Sequence, residues 1–129
     1  MKKVGLVILV VSFLIAGFAY ADPKETIAVA AEGKTAASKV SSVAARSPYY
    51  LIFDGTGNLL EAVENPYKAV KSGTAASVLS FLSKKGVTLI VAGDFGDKMI
   101  QDMKSKEIKY LEFKGSVEEA LKKVLEGKK

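Results

Sequence analysis

The chain has 129 residues, 19 basic and 14 acidic side chains, a formal net charge of +5, and neither cysteine nor histidine. This composition excludes disulfides, thiolate metal ligation and the commonest imidazole ligand, and the length suits one domain. The lysines are spread along the chain around a single arginine, Arg46, without the basic stripe and interleaved aromatics of a nucleic-acid-binding surface.

Lys2 and Lys3 form a positive lead, Val4 to Phe18 is almost unbroken apolar sequence, and Ala19-Tyr20-Ala21 supplies a small-x-small cleavage pattern. This predicts a signal peptide over residues 1–21, an exported domain over 22–129 in the periplasm or outside the cell, and no stable membrane span after cleavage. The alternative is a retained N-terminal anchor, because the apolar stretch approaches spanning length. Without Lys2 and Lys3 the balance is 17 basic to 14 acidic residues, a mild net charge of +3.

Thr26 to Ala31 is small and apolar enough for an internal strand. Glu32 to Ser47 is rich in Gly, Ala, Ser, Thr and Lys and reads as a loop with room for a turn of helix. Tyr49 to Asp54 is aromatic and β-branched, Gly55-Thr56-Gly57-Asn58 is turn chemistry, and Leu59 to Glu64 forms a second arm, so Tyr49 to Glu64 is a β-hairpin stopped by Asn65-Pro66. Tyr67 to Ser72 is another loop. Ala75 to Lys85 carries a helical apolar face of Ala75, Val78, Leu79 and Leu82, with Thr74 as its expected N-cap.

Val87 to Ala92 is a short apolar run bounded by glycines, read as the central strand buried on both faces. Asp97 to Lys104 follows as a helix with Met99, Ile100 and Met103, then Ile108 to Phe113 as the last strand. Ser116-Val117-Glu118-Glu119 is a capping box opening a helix with a stripe of Val117, Ala120, Leu121, Val124 and Leu125. The order gives a single-domain α/β fold: a five-stranded mixed sheet, antiparallel at the hairpin and parallel where helices join the strands, with helices on both faces.

Asp94-Phe95-Gly96 matches a kinase metal-binding triplet, but the chain is too short for a kinase and lacks the other kinase loops. Asp54 and Asp94 both end strands, which allows a metal-dependent phosphoester hydrolase; aspartate in a hairpin turn is ordinary, however, and no nucleophile-elbow serine is present. Glycine- or small-residue-rich segments at Arg46–Pro48, Ser72–Thr74 and Gly93–Gly96 are more informative. The second and third each open a helix, where free N–H groups and the helix dipole receive anions. The candidate ligand-binding set is therefore Arg46, Ser72, Gly73, Thr74, Gly93, Asp94, Phe95 and Gly96, with no catalytic and no metal-ligating residue.

Six segments together resemble the dinitrogenase iron–molybdenum cofactor biosynthesis family. They are Ile27-Ala28-Val29-Ala30 with Glu32-Gly33, Arg46-Ser47-Pro48-Tyr49-Tyr50-Leu51-Ile52, Glu64-Asn65-Pro66, Gly73-Thr74-Ala75-Ala76, Gly86-Val87 through Gly93 and Gly96, and Gly115-Ser116-Val117 with Glu119-Ala120. The resemblance runs from about Thr26 to Leu125. It implies a three-layer ribonuclease H-like fold and a non-enzymatic role, binding or carrying an iron–sulfur or iron–molybdenum type cluster or its precursor. Two departures stand out: an export signal, and no cysteine or histidine near the glycine-rich loops. They leave capture of an anionic cluster or small anion by backbone N–H groups, with Arg46 or Lys71 as counter-charge. A protein-interaction module without a small ligand is the other reading.

Overall fold

The computed structural model describes residues 24–127, so the expected signal peptide over 1–21 lies outside the described residues. Five strands form one sheet: β1 (Thr26–Ala31), β2 (Tyr49–Asp54), β3 (Leu59–Glu64), β4 (Leu89–Ala92) and β5 (Lys109–Glu112). Three helices complete it: α1 (Thr74–Lys84), α2 (Gly96–Ser105) and α3 (Val117–Glu126). The sheet order is β3-β2-β1-β4-β5. β2 is antiparallel to both β1 and β3, while β4 is parallel to β1 and β5.

The expected mixed sheet is present, with β3 at one edge. Its middle strand is β1, not the run at 87–92, whose residues Leu89–Ala92 lie beside it as β4 and are buried. β1 takes the middle because Ile27 to Ala31 are all fully buried and small enough to admit a helix layer on each face. Alternate residues then sort the core into two. Ala28, Ala30, Tyr50, Ile52, Ile90 and Ala92 meet Val78, Leu79 and Leu82 of α1 and Met99 and Met103 of α2. Ile27, Val29, Leu51, Phe53, Leu89 and Val91 meet Val117, Ala120 and Val124 of α3. The period of two along each strand thus gives three layers. No described helix is long and apolar enough to cross a membrane.

Local chemistry decides the element ends. Thr74 is not the N-cap of α1: Gly73 takes that position at φ 71°, and the Thr74 hydroxyl instead donates to the Val70 carbonyl at 3.1 Å. An N-cap at positive φ favours glycine, which leaves threonine one place inside. The Ser116–Glu119 capping box forms as expected. Residues 32–47 contain no helix; Val40 and Lys39 instead make isolated bridges to Ala31 and Ser116. The weak apolar periodicity there leaves nothing for a helix to bury, and the backbone pairs with its neighbours instead.

The hairpin turn makes a prediction about pH. Asp54 accepts the backbone N–H of Asn58 at 3.0 Å and that of Thr56 at 2.9 Å, with both side chains adding bonds. These bonds, led by the Asn58 N–H, pull the exposed Asp54 carboxyl from 3.8 down to about 2. A lowered carboxyl stabilises the fold above its unfolded value, and the contribution is lost as pH falls from about 4 towards 2. An NMR titration of the Asp54 side-chain carbon is expected to show this low midpoint. In Asn58→Gly, which deletes the side-chain amide but keeps the backbone N–H, the midpoint should rise only partly towards 3.8.

Candidate functional site

Three loop segments gather at the carboxyl end of β4. The Gly93 N–H donates to the Ser41 carbonyl at 2.8 Å, and the Ala44 N–H donates to the Asp94 carbonyl at 2.9 Å, so the segment 41–44 is laced to the strand end. On its other side the same loop is stitched to the start of α3, through Val40 N–H to Gly115 O (2.8 Å), Val117 N–H to Ser38 O (2.8 Å) and Glu118 N–H to Ala36 O (2.9 Å). Between these seams lies a cleft of about 850 Å³, lined by residues that include Lys39, Ser42, Gly93, Asp94, Lys114 and Ser116. That volume falls in the range of small-molecule sites.

Gly93 and Asp94 line this cleft; Arg46 and Ser72 to Thr74 do not. The second group meets next door. Arg46 Nη1 donates to the Lys68 carbonyl at 3.0 Å and to the Val70 carbonyl at 2.8 Å, the same oxygen that accepts from Thr74. Arg46 is therefore a clamp on the loop before α1, and both of its bonds come from one nitrogen, so its Nε and Nη2 donors are not spent there. Ser72 and Gly73 are exposed at the start of the helix, whereas Thr74 is buried. Phe95 turns inward at 6% exposure and packs edge-on to Tyr110, 5.1 Å between ring centres. Gly96 opens α2 at φ 77°.

The helix starts differ in their availability. In α3 the first N–H groups are consumed by Ser38, Ala36 and the Ser116 hydroxyl, so that end accepts no anion. Neither α1 nor α2 has a side-chain cap. The cleft carries charges of both signs: Lys39 and Lys114 on the walls, Asp94 exposed, and Glu119, whose Oε1 is committed to the Ser116 N–H at 3.0 Å.

Lys39, Ser42 and Lys114 were not legible as site residues. Lys39 and Ser42 sit in a segment without periodicity, and only the isolated bridges of the folded chain bring them to Gly93. Gly115-Ser116 did carry a signal, a glycine ahead of a capping box.

Asp54 and Asp94 do not form a pair. Asp54 stands opposite Thr26 at the start of β1, while Asp94 lies three residues past Val91, which meets Val29. At ~3.3 Å per residue the two residues are about 20 Å apart along the strand direction, so they do not share a two-metal phosphoester site. Among the described residues, no three carboxylates converge on one point that could hold a metal ion.

The fold and cleft define a single-domain, three-layer α/β protein with its cavity at the carboxyl end of a parallel strand, the usual ligand position in open α/β sheets. The chain belongs to the dinitrogenase iron–molybdenum cofactor family, whose sequence model matches residues 25–127. Similar solved structures include the apo form of the orange protein from Desulfovibrio gigas, at 26% identity and TM-score 0.75, over 81% of this chain and 90% of that one. A protein described as a putative NifB protein from Thermotoga is 34% identical, with TM-score 0.69 over 81% and 90%. A putative dinitrogenase from Methanocaldococcus jannaschii shares the fold at 17% identity and TM-score 0.58, over 81% and 91%. No curated protein matches the chain.

Proposed function

We propose that this chain is an exported, non-enzymatic member of its family that binds an anionic ligand, a metal–sulfur cluster or a similar polyanion, in the cleft beside Gly93. The observation that carries this reading is the cleft itself. A glycine-ended strand, two lysines and a serine hydroxyl line a space of small-molecule size. With no cysteine or histidine in the chain, the ligand must bring its own inner coordination and be held by hydrogen bonds and charge. Family membership supports the ligand class, and the apolar start of the chain supports export.

The test is an NMR titration of the chain 22–129 with a tetrathiometallate anion. Amide shifts are expected at Ser42, Gly93, Asp94 and Gly115 and not at the hairpin tip around Asp54. Binding should weaken with salt, because exposed charges are screened over ~8–10 Å at physiological strength. Lys39→Ala and Lys114→Ala should each weaken it several-fold, and Arg46→Ala should weaken it through the loosened loop. Shifts confined to the hairpin or α3 would overturn the site. No binding by any anionic probe would favour the interaction-module reading.

A further inference from the structure

The two edges of the sheet differ in kind. β3 meets β2 through a register shift at Ile52/Phe53, a bulge that bends the strand and blunts its edge. β5 instead meets β4 residue for residue from Lys109 to Glu112. The Lys109 N–H donates to the Thr88 carbonyl and the Phe113 N–H to the Ala92 carbonyl, both at 2.9 Å. The period of two along a strand therefore turns the N–H and C=O groups of Tyr110 and Glu112 outward. No strand among the described residues pairs with them there. β5 thus ends the sheet in a regular row of backbone donors and acceptors.

Beside this edge, on the α3 side of the sheet, lies a largely apolar groove of about 630 Å³. Leu89 and Leu111 line it from the sheet and Val124 lines it from α3, all drawn from the core cluster beneath that helix. Its charged lining is Lys109 and Lys123. Lys109 Nζ lies 2.7 Å from the buried Glu25 carboxylate, so its charge is already answered within the protein. Lys123 is exposed in the last turn of α3 and gives the groove its positive charge. On the opposite face of the same strand, the half-exposed Tyr110 ring packs against Phe95.

We propose that an extended peptide segment of a partner protein docks here by adding a strand to β5, with an apolar side chain in the groove and a carboxylate against Lys123. The added strand lies about 4.8 Å beyond β5, and its alternate side chains point to the α3 face. The backbone row supplies affinity, while the groove and Lys123 select the side chains. Because residues two apart share a face, the recognised pattern is an apolar and an acidic residue at alternate positions. A lysine or arginine in the acidic place would meet Lys123 and be rejected. A second copy of this chain fits less well, since pairing β5 with β5 about a two-fold axis brings Lys123 towards its own counterpart. The groove is distinct from the cleft beside Gly93, and its occupation does not depend on what that cleft binds.

The experiment is an NMR titration of the full chain with the acetylated and amidated peptide Thr-Val-Thr-Glu-Thr-Val, whose Val, Glu and Val share one face. At millimolar peptide the N–H groups of Tyr110 and Glu112 are expected to move downfield and exchange more slowly with solvent. Those of Lys109 and Phe113, already bonded to β4, should keep their exchange rates. Methyl shifts should appear at Leu89, Leu111 and Val124. Lys123→Gln should weaken binding about two- to five-fold, the range for an exposed charge contact. Replacing the peptide's glutamate with glutamine should do the same, and the two changes together should do no more. N-methylating either the threonine amides or the intervening ones tests the ladder, because only one set faces β5: one peptide should lose binding and the other keep it. Binding that survives both methylations overturns the added strand, as does the absence of shifts at Tyr110 and Glu112. Shifts there that grow with protein concentration without peptide, together with a doubled mass in sedimentation, assign the edge to a second copy and overturn the peptide partner.

Discussion

Asn65→Asp is expected to lower the stability of the fold by about 3 kcal/mol or more at neutral pH. Asn65 is 2% exposed, and its side-chain amide and backbone N–H are engaged. Its side-chain amide donates to the carbonyls of Ala45 (2.9 Å) and Ser47 (3.0 Å), its side-chain oxygen accepts the Tyr67 N–H (2.9 Å), and its backbone N–H donates to Pro48 (3.0 Å). Aspartate has the same shape but turns two donors into an acceptor. Two buried carbonyls then face a carboxylate oxygen, and each unsatisfied buried group costs about 1–3 kcal/mol. Asn65→Ala should cost less, about 2–3 kcal/mol, because it leaves the carbonyls unpaired without adding a repelling charge. The deficit of the aspartate variant should shrink on acidification, since a protonated carboxyl can return one donor. Urea denaturation at pH 7 and pH 4 measures both effects; equal stability of Asn65→Asp and wild type would show that the loop relaxes around the change.

The position of Asn65 explains why Arg46 is where it is. The two carbonyls that Asn65 grips belong to the residues on either side of Arg46, while Arg46 itself reaches back to the carbonyls of Lys68 and Val70. The segments 45–47 and 65–70 are thus zipped by side chains rather than by a strand ladder. Nothing in the local sequence announces this. Asn65-Pro66 reads as the end of a hairpin, and it is one, but the same asparagine also organises a loop some 20 residues earlier.

That contrast marks what the sequence could reveal. The hairpin, the α1 stripe, the buried run of β4 and the capping box at Ser116 each rest on a short-range pattern, a period of two, a period of 3.6 or a fixed offset, and all are found in place. The order of strands was legible only as far as connectivity allows. Helix-joined strands must run parallel, but which strand takes the middle depended on Ile27 to Ala31 being buried on both faces, and the apolar run at 87–92 was read as the central one instead. The cleft was half legible. Glycine marked the end of β4, whereas the opposing wall comes from 37–42, a stretch with no periodic pattern, placed by backbone bonds to Ala30, Gly93 and Gly115.

Gly93→Ala is expected to cost about 2–4 kcal/mol, for a reason the sequence reading of this glycine did not contain. There, the glycine belonged to a segment opening a helix, where free N–H groups receive anions. In the fold, a Cβ at Gly93 would lie 2.9 Å from the Ser42 Cα, 3.1 Å from the Ser42 carbonyl oxygen and 3.2 Å from that of Ser41. All three are backbone atoms and cannot swing aside as the end of a side chain can. The loop must move outward, which strains or breaks the 2.8 Å bond from Gly93 N–H to Ser41 and loosens the neighbouring bond from Ala44 to Asp94. Overpacking of this kind costs about 1–3 kcal/mol, with the buried bond adding about 1. Valine should be worse than alanine. The consequence for binding is specific: the variant should lose stability and faster amide exchange should appear at Ser41 and Ala44 in the absence of any ligand, and any loss of anion affinity follows from the displaced wall of the cleft. Asp94→Asn provides the complementary case. Its side chain is exposed and lines the cleft, so the unfolding midpoint should stay unchanged while removal of one negative charge tightens binding of a tetrathiometallate about two- to five-fold, the range for an exposed charge contact of ~0.5–1 kcal/mol. If Gly93→Ala melts with the wild type, the loop 41–44 yields freely and cannot be the fixed wall that the cleft requires.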